Sequence, residues 1–184
     1  MDPTIVARAQ RGDEEAFGLI VDGAGGRLHA VAHRILRDID LAEDATQQAL
    51  LDIWRDLPNL RDPARFDAWS YRLLVRACYT EARRTRHWTP NLHLLPADEP
   101  VVGEGLGSVV DRDQLERAFR RLTLEQRAVL VFHHYLDLPL SEVASRLDIP
   151  LGTAKSRLHH ATSALRASLE ADARTPTTSQ ERLA

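Results

Sequence analysis

The chain has one cysteine, Cys78, and one lysine, Lys155, among 184 residues. A lone cysteine forms no internal disulfide, which argues against a stapled secreted domain. No apolar run is long enough to span a bilayer. The N-terminal stretch MDPTIVARAQRGDEE carries no apolar core of a secretory signal. Together these absences predict a cytoplasmic protein with no membrane insertion of its own. Aromatics are scarce, at 5%, whereas Ala, Leu and Arg are abundant, a balance that favours helices. Marks of catalysis are missing too. There is no nucleophile elbow, H-E-x-x-H or Walker loop. Gly23-Ala24-Gly25-Gly26 has no preceding strand and no following Lys-Ser/Thr, so it is no phosphate loop. His29 and His33 have the i, i+4 spacing that zinc uses, but no further ligands accompany them. Neither a metal, a cofactor nor an enzymatic activity is expected.

What is present is unevenly spread. The net charge of −3 hides two basic islands, each of +4, at residues 61–90 and 117–169. A polyanion meets these islands, not the average. Between them, residues 87–110 hold three prolines and three glycines, are acidic and show no sustained periodicity. That composition predicts a linker. Two all-α domains follow, at about 1–86 and 111–169, with a disordered tail over 170–184.

The C-terminal half holds the sharpest pattern. In Leu138–Leu165, Val143, Ala144 and Leu147 mark the buried face of one helix. Pro150 stops it near Ile149. A second helix starts near Gly152-Thr153 and buries Ala154, Leu158, Ala161 and Leu165. Its other face carries Thr153, Lys155, Ser156, Arg157, His159 and His160, all able to donate to phosphates or base edges. This is the layout of a helix-turn-helix whose second helix enters a major groove. Upstream, a helix over Asp111–Arg121 and a capping box at Thr123-x-x-Gln126, opening a helix over Leu124–Leu136, complete the domain.

In the N-terminal half, Asp2-Pro3 and Asp13 are expected to start two helices, the second ending at Val21 and broken by the glycine cluster from a third over Arg27–Leu36. Asp40-Leu41-Ala42-Glu43 has the form of a capping box for a helix to about Asp56, with Leu50, Ile53, Trp54 and Leu57 inward. Another face of that helix holds Asp44, Gln47, Gln48, Leu51 and Arg55, which suits either a solvated surface or a protein-docking surface. After a proline-bounded loop, a helix from Ala64 to about Arg86 buries Phe66, Trp69, Leu73 and Ala77. A second stripe on it, Arg65, Arg72, Arg76, Tyr79, Arg83 and Arg86, combines cationic charge with an aromatic ring. Such a stripe suits a nucleic-acid strand with stacked bases. A solvated face with a dipole-favoured cationic end accounts for Arg83, Arg84 and Arg86 but not for Arg72 and Arg76.

Three stretches taken in order resemble a family. AEDATQQALLDIW at 42–54 resembles the core-polymerase-binding helix of bacterial sigma factors. FDAWSYRLLVRACYTEARR at 66–84 resembles their promoter-melting, minus-ten-reading helix. Residues 122–165 resemble their minus-thirty-five-reading domain. With no other domain, the resemblance is to the extracytoplasmic-function (ECF) group of the sigma-70 family. It implies region 2 at 1–86, region 4 at 111–169, and promoter-specific initiation with RNA polymerase core under the control of an anti-sigma factor. It places Asp44, Gln47, Gln48, Leu51 and Trp54 on the polymerase. The loop Leu57–Phe66, with Arg61 in it, and the stripe through Arg65, Arg72, Arg76, Tyr79, Arg83, Arg84 and Arg86 fall on minus-ten DNA. Thr153, Lys155, Ser156, Arg157 and His160 fall on the minus-thirty-five element. His159-His160-Ala161-Thr162 replaces a more basic run, so the free protein is expected to bind DNA weakly. The alternative is a stand-alone helix-turn-helix regulator, which leaves the Gln47-Gln48 face and the arginine stripe without a role.

Overall fold

The computed structural model describes residues 1–88 and 109–174. Most of the expected linker and residues 175–184 of the expected tail lie outside the described residues. Every regular element within them is helical: α1 Pro3–Ala9, α2 Glu14–Leu36, α3 Ile39–Asp56, α4 Phe66–Trp88, α5 Val109–Arg120, α6 Leu124–Leu130, α7 Leu140–Leu147 and α8 Leu151–Arg174. Two short 3-10 turns, Leu57–Asn59 and Pro63–Arg65, link α3 to α4.

The first four helices form a bundle. Asp2 caps α1 by accepting from the Thr4 amide at 2.8 Å, and Gly12, at φ +87, supplies the left-handed turn before α2. Asp13 caps α2 through the Ala16 amide. The glycine cluster does not break this helix, contrary to the sequence expectation: α2 runs unbroken to Leu36. Each interior glycine costs roughly 1 kcal/mol relative to alanine. The apolar row Ala16, Ile20, Ala24, Leu28, Val31 and Ile35, buried along the helix, offsets that cost by packing. The α3 cap also differs from expectation. Asp38, not Asp40, accepts from the Leu41 amide at 2.9 Å, so the helix begins one residue before the expected capping box. The small residues Ala42, Ala45 and Ala49 line the inner side of α3, which lets it lie close to α2 and α4.

The second domain is built on α5–α8. Thr123 and Gln126 exchange the reciprocal bonds of a capping box at the start of α6. The helix expected to run on to Leu136 instead widens into a π turn at Val131–Tyr135, where the Leu136 amide reaches back to the Val131 carbonyl. α7 ends at Asp148, which takes φ 55, and the Ile149 amide closes the turn on the Ala144 carbonyl. Pro150 then leads into α8, one residue before the expected start. Ala144 and Ala154 are both buried where the two helices cross. α8 extends to Arg174, five residues into the stretch expected to be disordered.

The two domains are packed together. Tyr71 of α4 meets Phe132 of the π turn edge to face, centroids 5.6 Å apart, and one continuous apolar cluster runs through both bundles. This contact explains why α4 buries more than one face: Tyr71 and Cys78 are buried along with Phe66, Leu73 and Ala77.

Candidate functional site

Three surfaces bring together the residues singled out in the sequence. The first is the outer side of α3. The inward row Ala42, Ala45, Thr46, Ala49 and Ile53 turns Asp44, Gln47 and Leu51 to the opposite side, and all three are exposed. Leu51 is 62% exposed and Trp54 42%. Trp54 was expected inward with Ile53 and Leu57; only the latter two are buried. Its ring instead rests edge-on against Phe17 of α2, with centroids 4.5 Å apart, which fixes the indole at the surface. Gln48 is half-buried and donates from its amide to Asp52 at 3.0 Å. Arg55 lies against Asp52 and Asp56, both at 2.9 Å. Its guanidinium is held charged by those carboxylates, so the end of the face presents no unpaired cation from Arg55. What remains is an apolar pair, Leu51 and Trp54, bordered by amides and carboxylates. Large apolar side chains grouped on a surface mark a protein-binding site more often than a solvated one.

The second surface is the α3–α4 loop with the outer side of α4. Asp62 caps the second 3-10 turn through the Ala64 amide at 3.0 Å. Gln10, at the end of α1, reaches across and donates from its side-chain amide to the carbonyls of Leu57, at 3.1 Å, and Leu60, at 2.6 Å. That anchor had no mark in the sequence, because a glutamine after a short helix has no local pattern that points to a partner about 50 residues away. Arg61 and Arg65 flank the loop and are exposed. Arg65 is loosely paired with Asp62 at 3.7 Å. On α4, Arg76 and Arg83 are exposed and Arg72 is half-buried. Arg84 is exposed but paired with the buried Glu81 at 3.2 Å. The side chain of Arg86 lies outside the described residues. Tyr79 departs from the rest of the stripe. Burial pushes its hydroxyl pKa up to about 12, with Glu125 of α6 adding to the rise and Arg157 of α8 opposing it. The stripe is therefore not one open face: Tyr79 is turned toward the second domain.

The third surface is the first half of α8. Ala154 and Ala161 are fully buried, which directs Lys155, Ser156, His159 and His160 outward, all exposed. Thr153 and Arg157 are half-buried. The Ser156 hydroxyl donates to the Thr153 carbonyl at 3.0 Å. No acidic residue occurs between Leu151 and Leu169, so the helix presents an anion only with donors. Its N-terminal amides add to that polarity. Among the described residues, no group of three or more His, Cys, Asp and Glu is placed to hold a metal. The rings of His29 and His33 are stacked with centroids 6.4 Å apart.

A model described as Sigma-70 region 2 matches residues 20–88, and one described as Sigma-70, region 4 matches residues 112–165. The chain is 31% identical over 157 residues to the ECF RNA polymerase sigma factor SigM of Mycobacterium tuberculosis, covering 85% of this chain and 78% of that one. It is 24% identical over 179 residues to the ECF RNA polymerase sigma factor SigW of Bacillus subtilis, covering 89% and 94%. Among solved structures, CnrH in complex with the cytosolic domain of CnrY has the same fold, with a TM-score of 0.68 at 22% identity over 93% of this chain and 98% of that one. So does the sigma factor RpoE in complex with the anti-sigma factor NepR from Bartonella quintana, with a TM-score of 0.67 at 21% identity over 85% and 98%. The all-α fold, the order of the two matched regions and the close relatives agree, and the chain belongs to the extracytoplasmic-function sigma factors of the sigma-70 family.

Proposed function

We infer that this sigma factor docks on RNA polymerase core through Asp44, Gln47, Gln48, Leu51 and Trp54, and places the enzyme on a promoter through two separate DNA contacts. The observation that carries the docking assignment is the exposed Leu51–Trp54 pair on a helix whose inward side is already filled. On the minus-ten side, the loop Leu57–Phe66 with Arg61 and Arg65 receives the separated strand. Arg72, Arg76, Tyr79, Arg83, Arg84 and Arg86 line its path. A base extruded from the duplex needs a pocket beside cationic charge, and the Gln10 anchor keeps that loop in shape before DNA arrives. On the minus-thirty-five side, Thr153, Lys155, Ser156, Arg157 and His160 meet base edges and phosphates in the major groove. Nothing in this assignment calls for a cofactor or a catalytic residue of the chain's own; the chemistry belongs to the polymerase.

No helix among the described residues is long and apolar enough to cross a membrane, and action in the cytoplasm beside the polymerase follows from the role. An anti-sigma factor is the expected regulatory partner, since a structural neighbour is a sigma factor held by one. Equilibrium binding to purified core polymerase tests the docking face. Leu51→Arg should weaken binding about tenfold or more, as loss of a central apolar anchor does, while the fold stays intact because Leu51 is 62% exposed. Wild-type affinity in that variant would remove the docking assignment.

A further inference from the structure

The first residue of α8 differs in chemistry from everything exposed beside it. Leu151 is 42% exposed, whereas the other exposed side chains through His160 are Lys155, Ser156, His159 and His160, all donors. The turn before it explains the placement. α7 ends on Asp148 at φ 55, and the Ile149 amide closes back on the Ala144 carbonyl at 3.0 Å. That tight return sets Leu147 and Ile149 against the core. Leu151, among the described residues, takes part in no apolar cluster. The Pro150 carbonyl accepts the first bond of α8, from the Ala154 amide at 3.1 Å, so Leu151 opens the helix. Helical side chains lean toward the N-terminus, which carries its two methyls toward the helix end. Proline has no side-chain acceptor, so it cannot cap the first amides, which point out of that same end.

The neighbours of Leu151 along the helix surface are Lys155 and His159, one and two turns further on. Both are exposed, while Ala154 and Ala161 are turned into the domain. Leu151 is therefore the outer end of a ridge that belongs to the surface assigned above to the minus-thirty-five element. In a helix-turn-helix the N-terminal residues of the second helix reach the base edges. Donors find acceptors there, and guanine, adenine and thymine all present them in the major groove. The C5 methyl is an apolar group that thymine alone presents, and a leucine tip matches it. A single exposed leucine is ordinary on a protein surface. At the base-facing end of this helix it leaves water when DNA is bound.

We propose that Leu151 is a specificity-determining residue of the minus-thirty-five contact and reads the C5 methyl of one thymine in the major groove. The proposal rests on the assignment of α8 to that element. The division of labour on the helix follows from its chemistry. The helix-end amides with Lys155 and Arg157 meet phosphates and acceptors, contacts that weaken as salt rises. Leu151 adds an apolar contact that carries no charge and distinguishes one base from the others. Its truncation leaves the fold intact, because Leu151 is exposed and alanine is a good helix former.

The test uses the full chain with purified core polymerase on a duplex promoter located by its mapped start site. Each thymine of the minus-thirty-five element, on either strand, is replaced singly by deoxyuridine. That change removes the C5 methyl and leaves every hydrogen-bonding atom in place. At one thymine the wild-type chain should lose about three- to fivefold in promoter affinity, the worth of one methyl taken out of water. Leu151→Ala should be weaker by a similar factor on the thymine template and indifferent to uracil at that position. Leu151→Met keeps an apolar tip and should regain the sensitivity. Lys155→Ala should weaken binding to both templates and keep the step between them. If no thymine methyl matters to the wild-type chain, the reading role is overturned. A Leu151→Ala chain that keeps the wild-type uracil step overturns it as well. Failure of the α8 assignment itself looks different: Lys155→Ala then leaves promoter affinity unchanged on every template.

Discussion

Leu51 and Tyr79 show what a single position's spacing reveals and what it hides. Leu51 lies on a polar row of α3, and its spacing placed it outward before any contact was known; the structure leaves it 62% exposed. Tyr79 has equally clear spacing within the arginine stripe, yet its ring is half-buried against the core that the two domains share. Periodicity reports a side chain's direction around its own helix and nothing of what that face meets. The same limit explains Trp54, whose spacing fits the inward row but whose ring packs on Phe17 at the surface. Two residue-scale outcomes follow. Thr123→Ala removes half of a reciprocal cap and should cost about 1 kcal/mol in chemical denaturation. His33 has its pKa held below 6.5, first by burial and then by Arg37, His29 and Arg34. The unfolded chain therefore takes up more protons at this site as the pH drops below 6.5, so the contribution of neutral His33 is present above that pH and fades under acid. His33→Gln should flatten the loss of stability between about pH 7.5 and about pH 5.5; an unchanged slope would refute this role.

Helices were legible in the sequence where caps and apolar periodicity agreed. Thr123-x-x-Gln126 marks the start of α6, and Asp13 that of α2, because side-chain oxygens and orphan amides three residues apart are a local matter. The α7–α8 turn was legible for the same reason, through Pro150 and the small residues on either side. The failures have a physical cause too. The three glycines of the Gly23–Gly26 cluster read as a break because their propensity is poor, but the helix is held by tertiary burial of Ala24 and Leu28, which a local scan does not weigh. The π turn at Val131–Tyr135 has no mark at all in the local pattern, and its Phe132 seats against Tyr71, a partner about 60 residues away that no local scan weighs. One consequence is measurable. A methyl group at Gly25 or Gly26 meets nothing within 4 Å, and neither position needs a positive φ. Gly25→Ala and Gly26→Ala should therefore each stabilise the protein by about 0.5–1 kcal/mol. A loss of stability would mean that α2 is not a continuous helix in solution.

At the scale of the molecule, region 2 and region 4 are each recognisable from the sequence, and their mutual packing is not. The basic islands at 61–90 and 117–169 are what the two proposed DNA surfaces are drawn from, but the Arg37–Glu116 pair spans 79 residues and nothing near either residue announces the other. Phosphate contacts through two basic surfaces imply promoter binding that falls steeply with salt. The measurement that bears most directly on the sigma assignment is transcription by purified core polymerase on genomic fragments, with and without the chain, with the start sites mapped. The account predicts a discrete set of start sites, each preceded by related sequences near minus ten and minus thirty-five, appearing only when the chain is added and lost in Leu51→Arg. Core polymerase giving the same transcripts with or without the chain, while the chain alone protects a palindromic DNA site, would contradict it.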